Sequence, residues 1–493
     1  MVVSYADIGV RPFINCCGAR TIHGGSIMLP EAVRAMQAAA GAFVNIDELM
    51  AAAGRRIAEL TGAEAAIVTC GGSAGLTHAT AACVAGADPE LMLRLPDTRG
   101  MRRRVVMPRG QRFTYDHAIR AVGVDIVEVE SVVELERALD GPVAMVALLG
   151  SKEAEDALSV EVVARHARPR GVPIVVDAAS EHLERPNPHL ARGASLVAYS
   201  GGKFLRGPQP TGLLLGERSL VEAAWKNSAP HHAFGRMMKV GKEEVMGLLA
   251  ALEVWAAGGR DPEHESRKWH RDLQTIGRAV EGIATVTTRI LPPAGPAERV
   301  PRLEIRWDGA RMGVGGLDLR RRLLDREPRI MLDDRGATAG SVFILPFSLQ
   351  PGEAEIVGER LRAELAAAAP EAREPAVAAA AAEIAGDWRL TIAFIRGQSE
   401  HELRLRQDGA RLTGVHRTAA LESTLTGRLE GESIAFESAH PFQGTSLVYR
   451  FTGTVADGQM AGAVALGTEG TSAPGPLNRR EFGEATWRAT RCG

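Results

Sequence analysis

The chain has few cysteines, no excess of charge and no long apolar run. Its five cysteines (Cys16, Cys17, Cys70, Cys83 and Cys492) are odd in number and never spaced Cys-x-x-Cys, which signals neither a disulfide framework nor a zinc site. Lys and Arg total 58 against 60 Asp and Glu, a net charge of −2, and the arginines are interspersed among acids. That balance gives no case for a nucleic-acid or anionic-membrane partner. The N-terminus, Met1-Val2-Val3-Ser4-Tyr5-Ala6-Asp7, lacks the basic start and apolar core of a signal peptide. No stretch is long and apolar enough to span a bilayer. A reducing cytoplasm is the expected compartment.

What is present is a chain of 493 residues, too long for one core, so two or three domains are expected. Residues 1–29 read as an arm with turns. Helical spacing begins at Pro30, resumes at Ile46-Asp47-Glu48-Leu49-Met50 and runs through Leu60. A strand (Ala65 to Cys70), a Gly-rich turn and an Ala-rich helix to Ala85 follow. Short apolar runs at Val105-Val106-Met107, Val124 to Val127, Ala144 to Leu149, Val172 to Val176 and Ala194 to Ser200 alternate with helical stretches, the pattern of a parallel sheet covered on both faces. The pattern stops near Gly216, and a long amphipathic helix is expected from Lys239 to Trp255. Expected next is a smaller α/β region with strands at Leu303 to Trp307 and Ser341 to Leu345, closed by a helix from Glu353 to Ala369. A stretch of Ala, Pro, Glu and Arg then reads as a linker. Beyond it the period becomes two, with Asp-Gly turns at Asp408-Gly409 and Asp457-Gly458, so the C-terminal part is an all-β barrel or sandwich. The expected divisions are an arm (1–29), a large domain (30–255), a small α/β domain (256–368), a linker (369–383) and the β domain (384–493).

The chemistry gathers around two strand ends. The run Val172-Pro173-Ile174-Val175-Val176 ends in Asp177, and Ala194 to Ser200 leads into Gly201-Gly202-Lys203. An acid and an amine on successive strand ends suit pyridoxal phosphate: the amine forms a Schiff base, and the carboxylate keeps the pyridine nitrogen protonated. Taken singly, Lys203 also reads as a surface lysine in a turn, and Asp177 as a helix cap. Thr69-Cys70-Gly71-Gly72-Ser73-Ala74-Gly75 lies between a strand and a helix, where backbone N–H groups can cradle a phosphate, and Ser200 is placed to add a hydroxyl. Phe113, Tyr115 and His117 follow the strand at residues 105–107, where a ring can stack on the pyridine; each is also an ordinary core or helix-start residue.

Glycine cradle, stacking segment, strand-end Asp, strand-end Lys and small C-terminal domain stand in the order of the fold type I pyridoxal-phosphate enzymes. Residues 5–365 resemble the selenocysteine-synthase-like branch, most of all the D-glucosaminate-phosphate ammonia-lyase-like proteins. The matching motifs are Gly9-Val10-Arg11-Pro12-Phe13-Ile14-Asn15, Gly62 to Thr69, Val175 to Ser180, Ser200-Gly201-Gly202-Lys203 with Gly207 to Gly212, and Met238 to Glu244. The resemblance implies a mostly parallel large domain plus a small α/β domain, pyridoxal 5'-phosphate as cofactor, and a homodimer or larger oligomer. It makes Lys203 the Schiff-base lysine and proton shuttle and Asp177 the pyridinium partner. Gly72, Ser73, Ala74 and Ser200 would hold the phosphate, with Tyr115 or His117 on the ring. Asn15 and Arg20 of the arm, His182, Lys239, Lys242 and Arg335 become substrate-side candidates. Relatives often carry an Arg before the closing Leu-x-Pro-Gly segment, but Leu345-Pro346-Phe347-Ser348-Leu349-Gln350-Pro351-Gly352 has none, which sends a substrate carboxylate to Arg335 or Arg20. The cradle has fewer alanines than in relatives. His182 and the pair His231-His232 are imidazoles that can supply a general acid.

The β domain opens with Gly386-Asp387-Trp388 and ends in Thr486-Trp487-Arg488, which is similar to lipocalin-like barrels. Covering a neighbouring subunit's active site, or extending an oligomer interface, is favoured over binding an apolar ligand, because small barrels are often filled by their own side chains. The expected reaction is an α,β-elimination on a hydroxylated amino acid or amino-sugar acid, giving a keto acid and ammonia. Racemase, retro-aldolase and aminotransferase chemistry share every residue named. A non-catalytic ligand-binding protein using the barrel is the alternative of another class. Selenium transfer to a tRNA suits the near-neutral charge poorly.

Overall fold

Apolar runs without alternation become strands buried on both faces. In this computed structural model, which describes residues 3–153, 156–293, 295, 299–368, 380, 382–470 and 482–492, an arm strand, β1 (Ile14–Cys16), precedes seven strands of one sheet. These are β2 (Ala65–Thr69), β3 (Arg104–Pro108), β4 (Asp125–Val129), β5 (Val143–Leu149), β6 (Ile174–Asp177), β7 (Leu196–Ser200) and β8 (Gly212–Gly216). Their order is β2-β8-β7-β6-β5-β3-β4. Strands β3 to β7 are mutually parallel, and β8 runs antiparallel between β7 and β2. The carboxyl ends of β2 to β7 therefore share one edge, where open α/β sheets place their ligands. Helices α1 (Pro30–Ala40), α2 (Ile46–Thr61) and α3 (Gly72–Ala85) belong to this body. The expected long helix starts three residues late, at Lys242, because Gly241 takes the extended N-cap conformation (φ −86°, ψ 163°). Lys239 is therefore not on that helix, as expected from sequence, but in the exposed segment before it.

A second core lies around β9 (Thr287–Leu291), β10 (Arg302–Arg306), β11 (Ile330–Thr338) and β12 (Ser341–Ile344). The arm strand joins this sheet, in the order β1-β11-β12-β10-β9, with Ile14 opposite Ile330. Helices over Pro262–Ala279, Gly316–Asp325 and Glu353–Ala366 pack here, the last ending three residues before the expected Ala369. The expected linker falls largely on residues 369–379 and 381, which lie outside the described residues.

The C-terminal part is a closed antiparallel barrel of eight strands: β13 (Gly386–Ala393), β14 (Gln398–Asp408), β15 (Arg411–Arg417), β16 (Glu422–Glu430), β17 (Ser433–Phe442), β18 (Thr445–Ala456), β19 (Gln459–Gly470) and β20 (Gly483–Arg491). Closure removes every sheet edge. Its interior is filled by Trp388, Phe436, Phe451 and Trp487 among others. The Trp of the Gly-x-Trp segment is buried, donates its indole N–H to Ile384 O at 2.9 Å and lies under the Arg491 guanidinium. Among the described residues no helix is long and apolar enough to cross a membrane.

Candidate active site

Strand β6 delivers Asp177 to the carboxyl edge of the large sheet, and the neighbouring β7 delivers Ser200 and then Lys203. Asp177 is only 7% exposed, and its Oδ1 accepts the Ala179 N–H at 2.8 Å. Burial raises the Asp177 pKa, opposed by that N–H and by the Lys203 charge. Burial likewise lowers the Lys203 pKa, opposed by Asp177. Each group thus holds the other's charge in a place that disfavours both.

The loop carrying Lys203 is built on backbone contacts that only glycine permits. Gly201 N–H donates to Thr211 O at 2.8 Å, and a Cβ on Gly201 or Gly202 would collide with Thr211 or with the Gln209 backbone. The arm clamps the same loop. Ser26 donates its N–H (3.0 Å) and its hydroxyl (3.1 Å) to Gly202 O. Gly25, at φ +75°, lies where a Cβ would be 2.6 Å from that oxygen. Gln209 Nε2 donates to Thr21 O at 3.0 Å, completing the clamp.

The cradle forms where β2 passes into α3. Gly71 adopts φ 120°, ψ 161°, open to glycine, and no side chain caps the helix N-terminus behind it. A Cβ on Gly72 would stand 3.2 Å from Ala179 Cβ and 3.5 Å from Tyr199 O, so the cradle leans on the ends of β6 and β7. Ser73 is exposed, Ala74 is buried in the first turn of α3, and Ser200 is half-buried at the end of β7. An uncapped helix start, a buried carboxylate and an amine of lowered basicity fit the phosphate, ring nitrogen and aldehyde of pyridoxal phosphate.

Other expected site residues have defined partners or positions. Asn15 is turned onto its own arm, donating to Gly18 O at 3.1 Å and accepting from Cys17 N at 2.8 Å. Arg20 pairs with Asp333 and, at 2.7 Å, with Asp334, and Arg335 pairs with Asp333 at 3.0 Å. Lys242 donates to Ala39 O, at the end of α1, at 2.7 Å and pairs with Glu243. His182 stacks on Phe204, the residue after Lys203, with ring centroids 4.0 Å apart. His231 bridges Trp225 O (3.0 Å) and Asp47 Oδ1 (3.1 Å), while His232 is exposed. Tyr115 and His117 are exposed on the segment after β3, and Phe113 is buried.

Three groups escaped the sequence reading. Gln111 Oε1 accepts Leu149 N at 3.0 Å, tying the segment after β3 to the end of β5. A buried network follows Asp177: His189 Nε2 and Glu181 Oε2 are 2.7 Å apart, and Arg192 joins His189 Nδ1 at 3.0 Å and also pairs with Glu153. On the arm, burial and the nearby Arg20 lower the His23 pKa. The one signal for the second was His189-x-x-Arg192, a pair three residues apart spanning a short helix, Pro188–Ala191, to its C-cap. Among the described residues no group of three or more His, Cys, Asp or Glu is placed to hold a metal ion.

No family model matches the chain. It is 32% identical over 370 residues, 73% of this chain and 96% of the relative, to D-glucosaminate-6-phosphate ammonia lyase of Salmonella typhimurium. A solved structure of D-glucosaminate-6-phosphate ammonia-lyase superposes with a TM-score of 0.65 at 30% identity, covering 75% of this chain and all of that one. The chain is also 31% identical to 5'-C-glycyluridine monooxygenase-decarboxylase of a Streptomyces species, over 73% of this chain and 91% of the relative. It is 27% identical to L-seryl-tRNA(Sec) selenium transferase of Moorella thermoacetica, over 62% of this chain and 65% of the relative. With Asp177, Lys203 and the cradle in place and these identities over nearly the whole of two relatives, the chain belongs to the fold type I pyridoxal-phosphate enzymes, in the selenocysteine-synthase-like family that includes D-glucosaminate-6-phosphate ammonia lyase.

Proposed function

We propose that the enzyme is a lyase that removes the α-proton and expels a β-hydroxyl as water from a hydroxylated amino acid or amino-sugar acid, and that water then hydrolyses the resulting enamine to a keto acid and ammonia. Buried Asp177 at the end of β6 and half-buried Lys203 on the loop after the neighbouring β7 support the cofactor, and the elimination is supported by the 32% identity to D-glucosaminate-6-phosphate ammonia lyase over 96% of that relative. When bound, pyridoxal phosphate supplies an electron sink for the α-carbon of the substrate amine. Asp177 offers its carboxylate to the ring nitrogen, and the cradle at Gly72 and Ser73, with Ser200, receives the phosphate. The Lys203 amine, made less basic by burial, takes the α-proton and holds it at Nζ. His182, fixed on Phe204, is a general-acid candidate for the leaving hydroxyl. The arm clamp on Gly202 fixes the loop that bears the base.

The small-region side of the arm supports an anionic substrate. Arg20, Arg320 and Arg335 gather there around Asp333 and Asp334. We propose a homodimer or larger assembly, since Phe43, Ile22, Ile27 and Met237 are large apolar side chains left exposed, and the cytoplasm as its compartment from the sequence.

The test is a set of hydroxylated amino acids and amino-sugar acids, including D-glucosaminate 6-phosphate, given to the purified enzyme loaded with pyridoxal phosphate. Ammonia and a keto acid in equal amounts, absent with Lys203→Ala, are expected. Loss of optical rotation without ammonia would replace the lyase by a racemase. Oxygen uptake with release of carbon dioxide would move the assignment toward the monooxygenase-decarboxylase relative, which is 31% identical.

A further inference from the structure

The barrel meets the catalytic body through the turn between β17 and β18. Gln443 Oε1 accepts a hydrogen bond from Arg112 Nη2 at 2.7 Å. The next residue, Gly444, sits so close that a Cβ would stand 2.5 Å from both the N and the O of Phe113. Gly444 is not among the residues of positive φ, so the contact, and not the turn's conformation, requires glycine there. Gln443 itself is held at φ 52°, a region that residues with a side chain rarely adopt.

The segment that receives this turn is fastened to the active site on its other side. Arg112 is buried and pairs with Asp116 at 2.5 Å and with Glu128. Farther along, Ala118 O accepts from Thr77 Oγ1 at 2.9 Å, and Thr77 also reaches Ser73 O, in the cradle, at 3.3 Å. The unbroken path from barrel to cradle thus runs through Gln443, Arg112, Asp116, Ala118 and Thr77. Tyr115 and His117 lie within the stretch it spans.

We propose that the β17–β18 turn is a positioning element of the active site, in which Gln443 and Gly444 hold the segment from Gln111 to His117 against the phosphate cradle. Gln443 and Arg112 are positioning residues: they act through that segment and touch no reacting atom. The proposal rests on the pyridoxal-phosphate assignment and adds the barrel to it. Without the turn, Arg112 keeps two carboxylates but loses the wall that fixes its neighbour Phe113.

The test uses the full-length enzyme loaded with pyridoxal phosphate. Gly444→Ala introduces the collision, Gln443→Ala removes the acceptor, and Gln443→Glu restores an acceptor for Arg112. Gly409→Ala, strained at φ +58° in the β14–β15 turn but with nothing within 4 Å of its Cβ, disturbs the barrel without touching the catalytic body and is the control for barrel folding. Readouts are the visible circular dichroism of the bound cofactor, the Kd for pyridoxal phosphate and barrel melting by tryptophan fluorescence. Displacing the segment by a fraction of an ångström is expected to weaken cofactor binding about tenfold in Gly444→Ala and to alter its circular dichroism, with about threefold in Gln443→Ala. Gln443→Glu is expected to behave as wild type, and Gly409→Ala to keep wild-type Kd and circular dichroism while its barrel melts at a lower temperature. Wild-type Kd and circular dichroism in both Gly444→Ala and Gln443→Ala would overturn the proposal. So would losses of equal size in Gly409→Ala that track its melting, since they would report barrel folding alone. A failure of the cofactor assignment shows separately, as a wild-type enzyme that binds no pyridoxal phosphate.

Discussion

The large domain and the barrel both bury titratable groups, by opposite means. At the strand ends of the large domain a buried carboxylate and a half-buried amine are close enough that each supports the other's charge. In the barrel, three imidazoles form a chain with one another. His401 Nδ1 and His416 Nε2 are 2.8 Å apart, and His416 Nδ1 lies 2.7 Å from Ser438 Oγ and 3.0 Å from His440 Nε2. Burial lowers His416 to a pKa of about 2 and His401 to about 4, and it lowers His440 as well. One region keeps charge where chemistry needs it; the other excludes charge to stay folded. The difference is one of partners, because a buried ionisable group either finds its counter-charge or gives up its own.

That contrast is broken most completely at Lys203. Lys203→Ala is expected to lower ammonia release by about 10³-fold or more, and to abolish the absorbance of the lysine-bound cofactor near ~420 nm. Asp177→Asn comes next, with a loss of about 10²-fold in kcat, because a neutral amide cannot sustain a protonated ring nitrogen. Its wild-type melting would show that the carboxylate serves chemistry and not the fold.

The barrel should lose stability on acidification. Between pH 6.5, the ordinary histidine value, and about 4, the unfolded chain binds protons that buried His401 and His416 refuse. Stability therefore rises with pH across that window and is lost on acidification. Tryptophan fluorescence of Trp388 and Trp487 should show the barrel melting at lower temperature at pH 5 than at pH 7.5. Replacing His416 by Phe should flatten the dependence. A smaller effect is expected at the arm, where Gly25→Ala places a Cβ against Gly202 O at positive φ. It should cost about 1–3 kcal/mol locally, read as faster exchange of the Gly202 loop amides with solvent.

The strand ends were legible because Asp177 and Lys203 interrupt apolar or glycine runs, and a buried run that ends in a charge has few explanations. The cradle was legible as glycines between a strand and a helix. Strand β8 was not, since Leu213-Leu214-Leu215 between glycines gives no direction, and its antiparallel course depends on β2 and β7 accepting it. Arg20 and Arg335 read as substrate groups because their carboxylate partners, Asp333 and Asp334, lie within β11, a strand that its own charges disguise. The histidine chain was equally hidden. Alternation sends His401, His416 and His440 inward, but only barrel closure brings β14, β15 and β17 near enough for their rings to meet.

The pairing of Ile14 with Ile330 has a consequence for biosynthesis. The arm is translated before its sheet partner, which follows some three hundred residues later, so β1 waits as an unpaired edge while the large sheet assembles. The clamp of Ser26 on Gly202 gives the nascent arm an earlier anchor on the loop of Lys203. Closure of the small sheet then completes the catalytic body, shortly before the barrel is synthesised.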